Sequence, residues 1–162
     1  MHNALLPLLR LILSFGMRGD YNRLRRLALR CPLFRPLHFL YCVFHGSVLP
    51  LGAAIGGPVR FPHEPTGVFL STTCVIGRGC TIMQHVTIGS NFVTKINGGG
   101  GAPVLGDNVF VGAGAKIIGP VRIGNNVKIG AGAVVVTDVP DDAVVVMHKP
   151  RILVGGRNVT AE

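Results

Sequence analysis

The chain has no tryptophan and only two tyrosines, and aromatic residues fill just 6% of its 162 positions. So few rings exclude a wide aromatic core and leave aliphatic side chains to fill a narrow one. Charge is sparse at 14%, with seven acidic residues against sixteen Lys and Arg, for a formal net charge of +9. No apolar run reaches the ~20 residues that span a bilayer. Ala4 to Phe15 comes nearest and is interrupted by Arg10 and Ser14. It also lacks the basic flank and small-residue cleavage site of a signal peptide, so a cytoplasmic protein is expected. The four cysteines, at positions 31, 42, 74 and 80, make no CxxC pair and no metal-ligand spacing. Buried, reduced thiols are the expectation for Cys74 and Cys80. Neither GxGxxG nor Gly-Lys-Ser/Thr occurs, which removes Rossmann and P-loop readings. No basic motif interleaved with aromatics points to nucleic acid.

What is present is a six-residue rhythm. Aliphatic residues open successive units at Leu105, Val111, Ile117, Ile123, Ile129 and Val135. Small or branched residues follow four places later, at Val109, Ala115, Val121, Val127, Ala133 and Val139. The same rhythm runs earlier through Leu70, Ile76, Ile82 and Ile88, with Cys74, Cys80 and Val86 in the fourth places. This period suits neither a helix nor an alternating strand. It predicts an all-β solenoid, a parallel β-helix whose short strands turn a corner every six residues and stack in roughly five coils.

Residues 1–47 lack the rhythm. Leu24, Leu27 and Leu29, then the stretch from Leu37 to Phe44, predict helix around breaks at Gly16, Gly19 and Pro32, forming a helical cap. Arg10, Arg18, Arg23, Arg25, Arg26, Arg30 and Arg35 crowd this segment against a single Asp20. Peripheral contact with an anionic inner membrane face is one expectation for it, a solvated basic face the other. The solenoid is assigned to residues 48–146, with openers at Leu49, Ile55 and Phe61, and residues 147–162 to a C-terminal tail. Two breaks interrupt it. About three residues are inserted near His63 to Gly67, and residues 90–103, with four consecutive glycines, form an external loop.

Of the six histidines, His63 and His85 lie within the solenoid body. Their spacing is one coil plus the insertion and one residue, so they should share a wall, and the loop leaves shortly after His85. Insertions on solenoids gather at binding faces, which singles out His63, Glu64 and His85. A metal site would need a third ligand that the sequence does not supply, so no metal is expected. Gly112-Ala113-Gly114 and Gly130-Ala131-Gly132 stand 18 residues apart and should stack on one edge, exposing backbone to an elongated ligand.

The segment from Pro62 to Val68, then IGRGCTIMQHVTIGS, then PVLGDNVFVGAGAKIIGPVRIGNNVKIGAGAVVVTDVP, closely resembles the serine acetyltransferase family. That family belongs to the hexapeptide-repeat acyltransferases. The resemblance implies a left-handed β-helix, acetyl-CoA as donor, and a homotrimer with sites in clefts between subunits. It also implies His63 as general base and Ala113, Gly114, Ala131 and Gly132 as the edge along the CoA arm. Lys149 and Arg151, from charge alone, are candidates for the CoA phosphates. Three positions depart from the family pattern. Pro62 stands where that family has Asp, Val48 where it has a second Asp, and Gly101-Ala102 where it has an Arg-His pair. Without those groups a serine carboxylate lacks its cationic partner.

The leading expectation is therefore an acetyl-CoA-dependent O-acetyltransferase acting on a hydroxyl of a sugar or exopolysaccharide unit, as in related polysaccharide O-acetyltransferases. Two alternatives stand beside it: L-serine O-acetylation in cysteine synthesis, and a non-catalytic solenoid serving as an interaction subunit.

Overall fold

The computed structural model describes residues 20–91 and 101–147, together with the backbone of 152–154 and 157–159. Residues 1–19 of the expected helical cap, residues 92–100 of the loop, Lys149 and Arg151 lie outside the described residues. Asp20 opens helix α1 (Tyr21–Arg30), its carboxylate accepting from the Asn22 and Arg23 amides at 2.9 and 3.3 Å. This is the preferred N-cap chemistry. A 3-10 turn, Pro32–Phe34, leads into α2 (Arg35–Phe44). Pro32 stops the first helix where the sequence predicts a break.

Three four-stranded parallel sheets then form the walls of a β-helix. The first face holds β2 (Phe69–Leu70), β5 (Thr87–Gly89), β8 (Lys116–Ile118) and β11 (Val134–Val135). The second holds β1 (Ala54–Ile55), β3 (Val75–Ile76), β6 (Val104–Leu105) and β9 (Arg122–Ile123). The third holds β4 (Thr81–Ile82), β7 (Phe110–Val111), β10 (Lys128–Ile129) and β12 (Val144–Val145). Bridges from Val48 to Phe69 and from Arg60 to Thr81 complete the first coil, giving five. A two-stranded antiparallel pair, β13 (Ile152–Val154) with β14 (Arg157–Val159), follows in the segment expected to be a tail.

The hexapeptide rhythm is the burial pattern. Openers such as Ile76, Ile82, Ile88, Ile117 and Ile129 are fully buried, as are the fourth-place residues Cys74, Cys80, Val86, Val109, Ala115 and Val127. The residue before each opener points outward. Identical positions therefore stack above one another, and one column of aliphatic side chains runs through all coils. The insertion before Gly67 shows as a 21-residue step from Val48 to Phe69, and the loop as a 29-residue step from Val75 to Val104. One expectation changes. Ile123 pairs with Val139, and Lys128 with Val144, sixteen residues on instead of eighteen. Val139 thus takes an opener's place, because the last coil omits two residues at its corner.

The first coil leaves backbone groups without a neighbouring coil, and α1 meets them. Asn22 donates to the Val59 carbonyl at 2.8 Å and accepts from its amide at 3.0 Å, so a side-chain amide stands in for a missing strand. Arg25 donates to the Ala53 carbonyl at 2.7 Å. Tyr21, Leu24, Tyr41 and Cys42 continue the buried column onto the helices.

Asn22→Ala orphans both Val59 groups at a buried position and is expected to cost about 1–3 kcal/mol in denaturant unfolding. Burial pushes the Cys74 thiol from its ordinary 9.0 up to about 11. The raised value means that stability is whole below pH 9 and declines as pH rises through about 11. Iodoacetamide at mildly alkaline pH should leave Cys74 and Cys80 unmodified in the folded chain and label both in denaturant, read by mass spectrometry.

Candidate active site

The predicted site residues that are described, His63, Glu64, His85, Ala113, Gly114, Ala131 and Gly132, gather on one corner, where the third face turns into the first. On successive coils this corner is formed by Thr66-Gly67, Gln84-His85, Ala113-Gly114 and Ala131-Gly132. The His85 amide donates to the Thr66 carbonyl at 2.9 Å, Gly114 to Gln84 at 3.0 Å and Gly132 to Ala113 at 2.8 Å. The second residue of each pair has left-handed φ: +63° at Gly67, +59° at His85, +69° at Gly114 and +69° at Gly132. The two Gly-Ala-Gly segments stack as expected, and Ala131 and Gly132 are exposed.

His85 is the one member of that column with a side chain. A non-glycine residue held in this conformation marks a position that its surroundings over-determine. Its imidazole lies on the Cα of Gly67: a Cβ built there would stand 2.3 Å from Nδ1. Gly67 is therefore required twice, by its φ and by the ring.

His63 is exposed in the inserted turn at the same corner, one coil before His85. The turn is held by Thr66 Oγ1, which donates to the His63 carbonyl at 3.3 Å, and by the Gly67 amide, which donates to the His45 carbonyl at 3.0 Å. Glu64 also has positive φ, +52°. Its Oε2 accepts from the hydroxyl of Tyr41 in α2 at 3.0 Å. Burial first, then the adjacent Glu64 carboxylate, pushes the Tyr41 hydroxyl pKa well up, so it stays a donor. Sequence reasoning does not reach Tyr41, since nothing in a helical apolar stretch signals a contact 23 residues on. A cavity of about 350 Å³ opens beside this turn, lined by α1 residues and by Arg60, Phe61, Pro62 and Glu64.

Of the external loop only the two ends, residues 90–91 and 101–103, are described. Asn91 and Gly101 pair at its root, at the corner between the first and second faces, with β5 separating them from His85. Among the described residues no three His, Cys, Asp or Glu side chains gather as metal ligands. Gln84 adds a group that the sequence did not mark. Its Oε1 is buried without a hydrogen-bond partner among the described residues.

Comparison with known proteins places this geometry in a class. Residues 102–137 match the family model of the bacterial transferase hexapeptide (six repeats), and the architecture is the left-handed parallel β-helix of hexapeptide repeats. Within that class the chain is similar to serine acetyltransferases. It is 46% identical to the serine acetyltransferase of Mycobacterium tuberculosis over 59% of this chain and 40% of that protein. The structure of Neisseria gonorrhoeae serine acetyltransferase in complex with serine aligns with a TM-score of 0.64 at 36% identity, covering 82% of this chain and 54% of that one. A serine acetyltransferase in complex with CoA aligns at 0.61 and 31% identity, over 87% and 54%. The chain spans less than half the length of the curated relatives it matches.

Gly67→Ala should cost at least about 2 kcal/mol from the left-handed backbone and the displaced ring. In a His85→Gly background the ring is gone and only the backbone part should remain. Equal losses in both backgrounds, measured by denaturant unfolding, would place the ring elsewhere.

Proposed function

We propose that this chain is an acetyl-CoA-dependent O-acetyltransferase whose site lies on the corner running from His63 to Gly132. The observation that carries the reading is the convergence of His63, His85 and a bare backbone edge on one line, in a fold similar to a serine acetyltransferase in complex with CoA. His63 takes the proton of an acceptor hydroxyl. The oxygen attacks the carbonyl carbon of the acetyl thioester, and backbone N–H groups stabilise the oxyanion. The tetrahedral intermediate then expels the CoA thiolate, which takes the proton back from His63. No covalent enzyme intermediate is needed. Glu64, held by Tyr41, and His85 flank the acceptor, and the CoA arm follows Ala113 and Ala131. Lys149 and Arg151 are the proposed phosphate contacts.

The likeness to serine acetyltransferases, one of them in complex with serine, favours L-serine as acceptor over the sugar unit expected first. A specific observation keeps the sugar as a second reading: Val48, Pro62 and Gly101-Ala102 offer neither carboxylate nor guanidinium to read an amino acid. A homo-oligomer is part of the proposal, since outward Val48 and Phe69, neighbours on the first two coils of the first face, give it an apolar patch suited to a second copy.

His63→Ala should lower CoA thiol release with the true acceptor by about 10²–10⁴-fold. Turnover with L-serine that depends on His63 supports the first reading. Turnover only with saccharide acceptors supports the second. Absence of acetyl-CoA binding by calorimetry would overturn both in favour of a non-catalytic solenoid.

A further inference from the structure

The outer face of α2 reverses the usual order of an amphipathic helix. Phe39, Leu40, Val43 and Phe44 are 54–66% exposed, and Leu33 in the preceding turn is 81% exposed. Such a cluster is larger than the scattered apolar residues of an ordinary surface and marks a contact. Arg26 and Arg30 of α1 and Arg35 at the start of α2 are also exposed, so Leu33 stands between Arg30 and Arg35 in the chain and Phe39 one helical turn after Arg35. No acidic residue occurs between Asp20 and Glu64.

We infer that α2 and the turn before it dock onto an anionic lipid surface. Aliphatic and aromatic side chains enter the acyl boundary while guanidinium groups engage lipid phosphates, which is the pattern of an interfacial helix. At ten residues α2 is about 15 Å long and lies in the interface without crossing it. Charge decides against a second copy as occupant, because each copy would bring the same unopposed arginines to the contact. Nucleic acid is disfavoured too, since three of the five exposed side chains, Leu33, Leu40 and Val43, are aliphatic and gain nothing from bases or phosphates. The buried side of the same helix carries Tyr41, whose hydroxyl reaches Glu64 beside His63. Docking thus brings the candidate site to about one helix diameter, ~10 Å, from the bilayer. An acceptor hydroxyl carried on a lipid anchor would then meet it. That corollary rests on the proposed function, whereas lipid binding itself does not.

The test is flotation of the full chain with vesicles of phosphatidylcholine alone and of phosphatidylcholine mixed equally with phosphatidylglycerol. Binding is expected only to the anionic vesicles and should weaken as salt is raised. The triple substitution Arg26→Gln, Arg30→Gln, Arg35→Gln should lower partitioning about 100-fold. Phe39→Ser with Leu40→Ser should reduce binding further at unchanged charge. Circular dichroism and acetyl transfer to a soluble acceptor should stay as in the parent, which separates loss of docking from loss of fold or activity. Failure of the parent to float with anionic vesicles would overturn the inference, as would binding that ignores these substitutions. If the apolar substitutions instead dissociate a self-assembled form that binds no vesicles, the occupant is a second copy and the inference falls.

Discussion

Coil-to-coil hydrogen bonding is the constraint from which everything else here follows. Each two-residue strand is too short to bury anything alone, and it gains stability only by pairing with the strands above and below it. That requirement forces identical positions into columns, so one substitution rule applies along each column. Aliphatic residues fill the interior, small ones the fourth places, and left-handed residues the corners. It also forces an ending. Asn22 and Arg25 supply, from a helix, the partners that a missing coil would have offered to Val59 and Ala53.

The same stacking turns residues distant in sequence into neighbours along one edge. His63, His85, Ala113 and Ala131 come from four coils yet lie in line, because each occupies the corner between the same two faces. A line of this kind can combine a proton acceptor at one end with a featureless backbone edge for a long donor at the other. The chemistry asks little more of the protein than correct placement. Glu64 is anchored differently, through Tyr41, so the inserted turn is tied to the helical segment as well as to the solenoid.

Much of this was legible in the sequence, and for a physical reason. The period of six is a property of the backbone path, so it exposed the coil count, both insertions and the stacking of the two Gly-Ala-Gly edges. Where a residue's role depends on side-chain direction or on packing between segments, the pattern was silent. Tyr41 lies in an apolar stretch, and only the fold turns its hydroxyl toward Glu64. Val139 kept the rhythm in sequence while the shortened last coil slid it by two residues, from the level of Val121 onto Ile123. The root of the loop stands few residues from His85 in sequence, yet those residues are a strand that carries the chain to the next corner. Acceptor preference was the least legible, since single positions such as Pro62 and Val48 pull one way and the likeness of the whole chain another.

The column of corner residues is also a ruler. Neighbouring coils stand about 4.8 Å apart, so the three steps from Gly67 to Gly132 measure roughly 14 Å along the edge. Length is thereby quantised: it changes only by whole coils, whatever residues fill them. A ligand read along this edge is gauged by the number of turns beneath it. Gain or loss of one eighteen-residue unit would leave the fold intact and move the two ends of the site out of calibration.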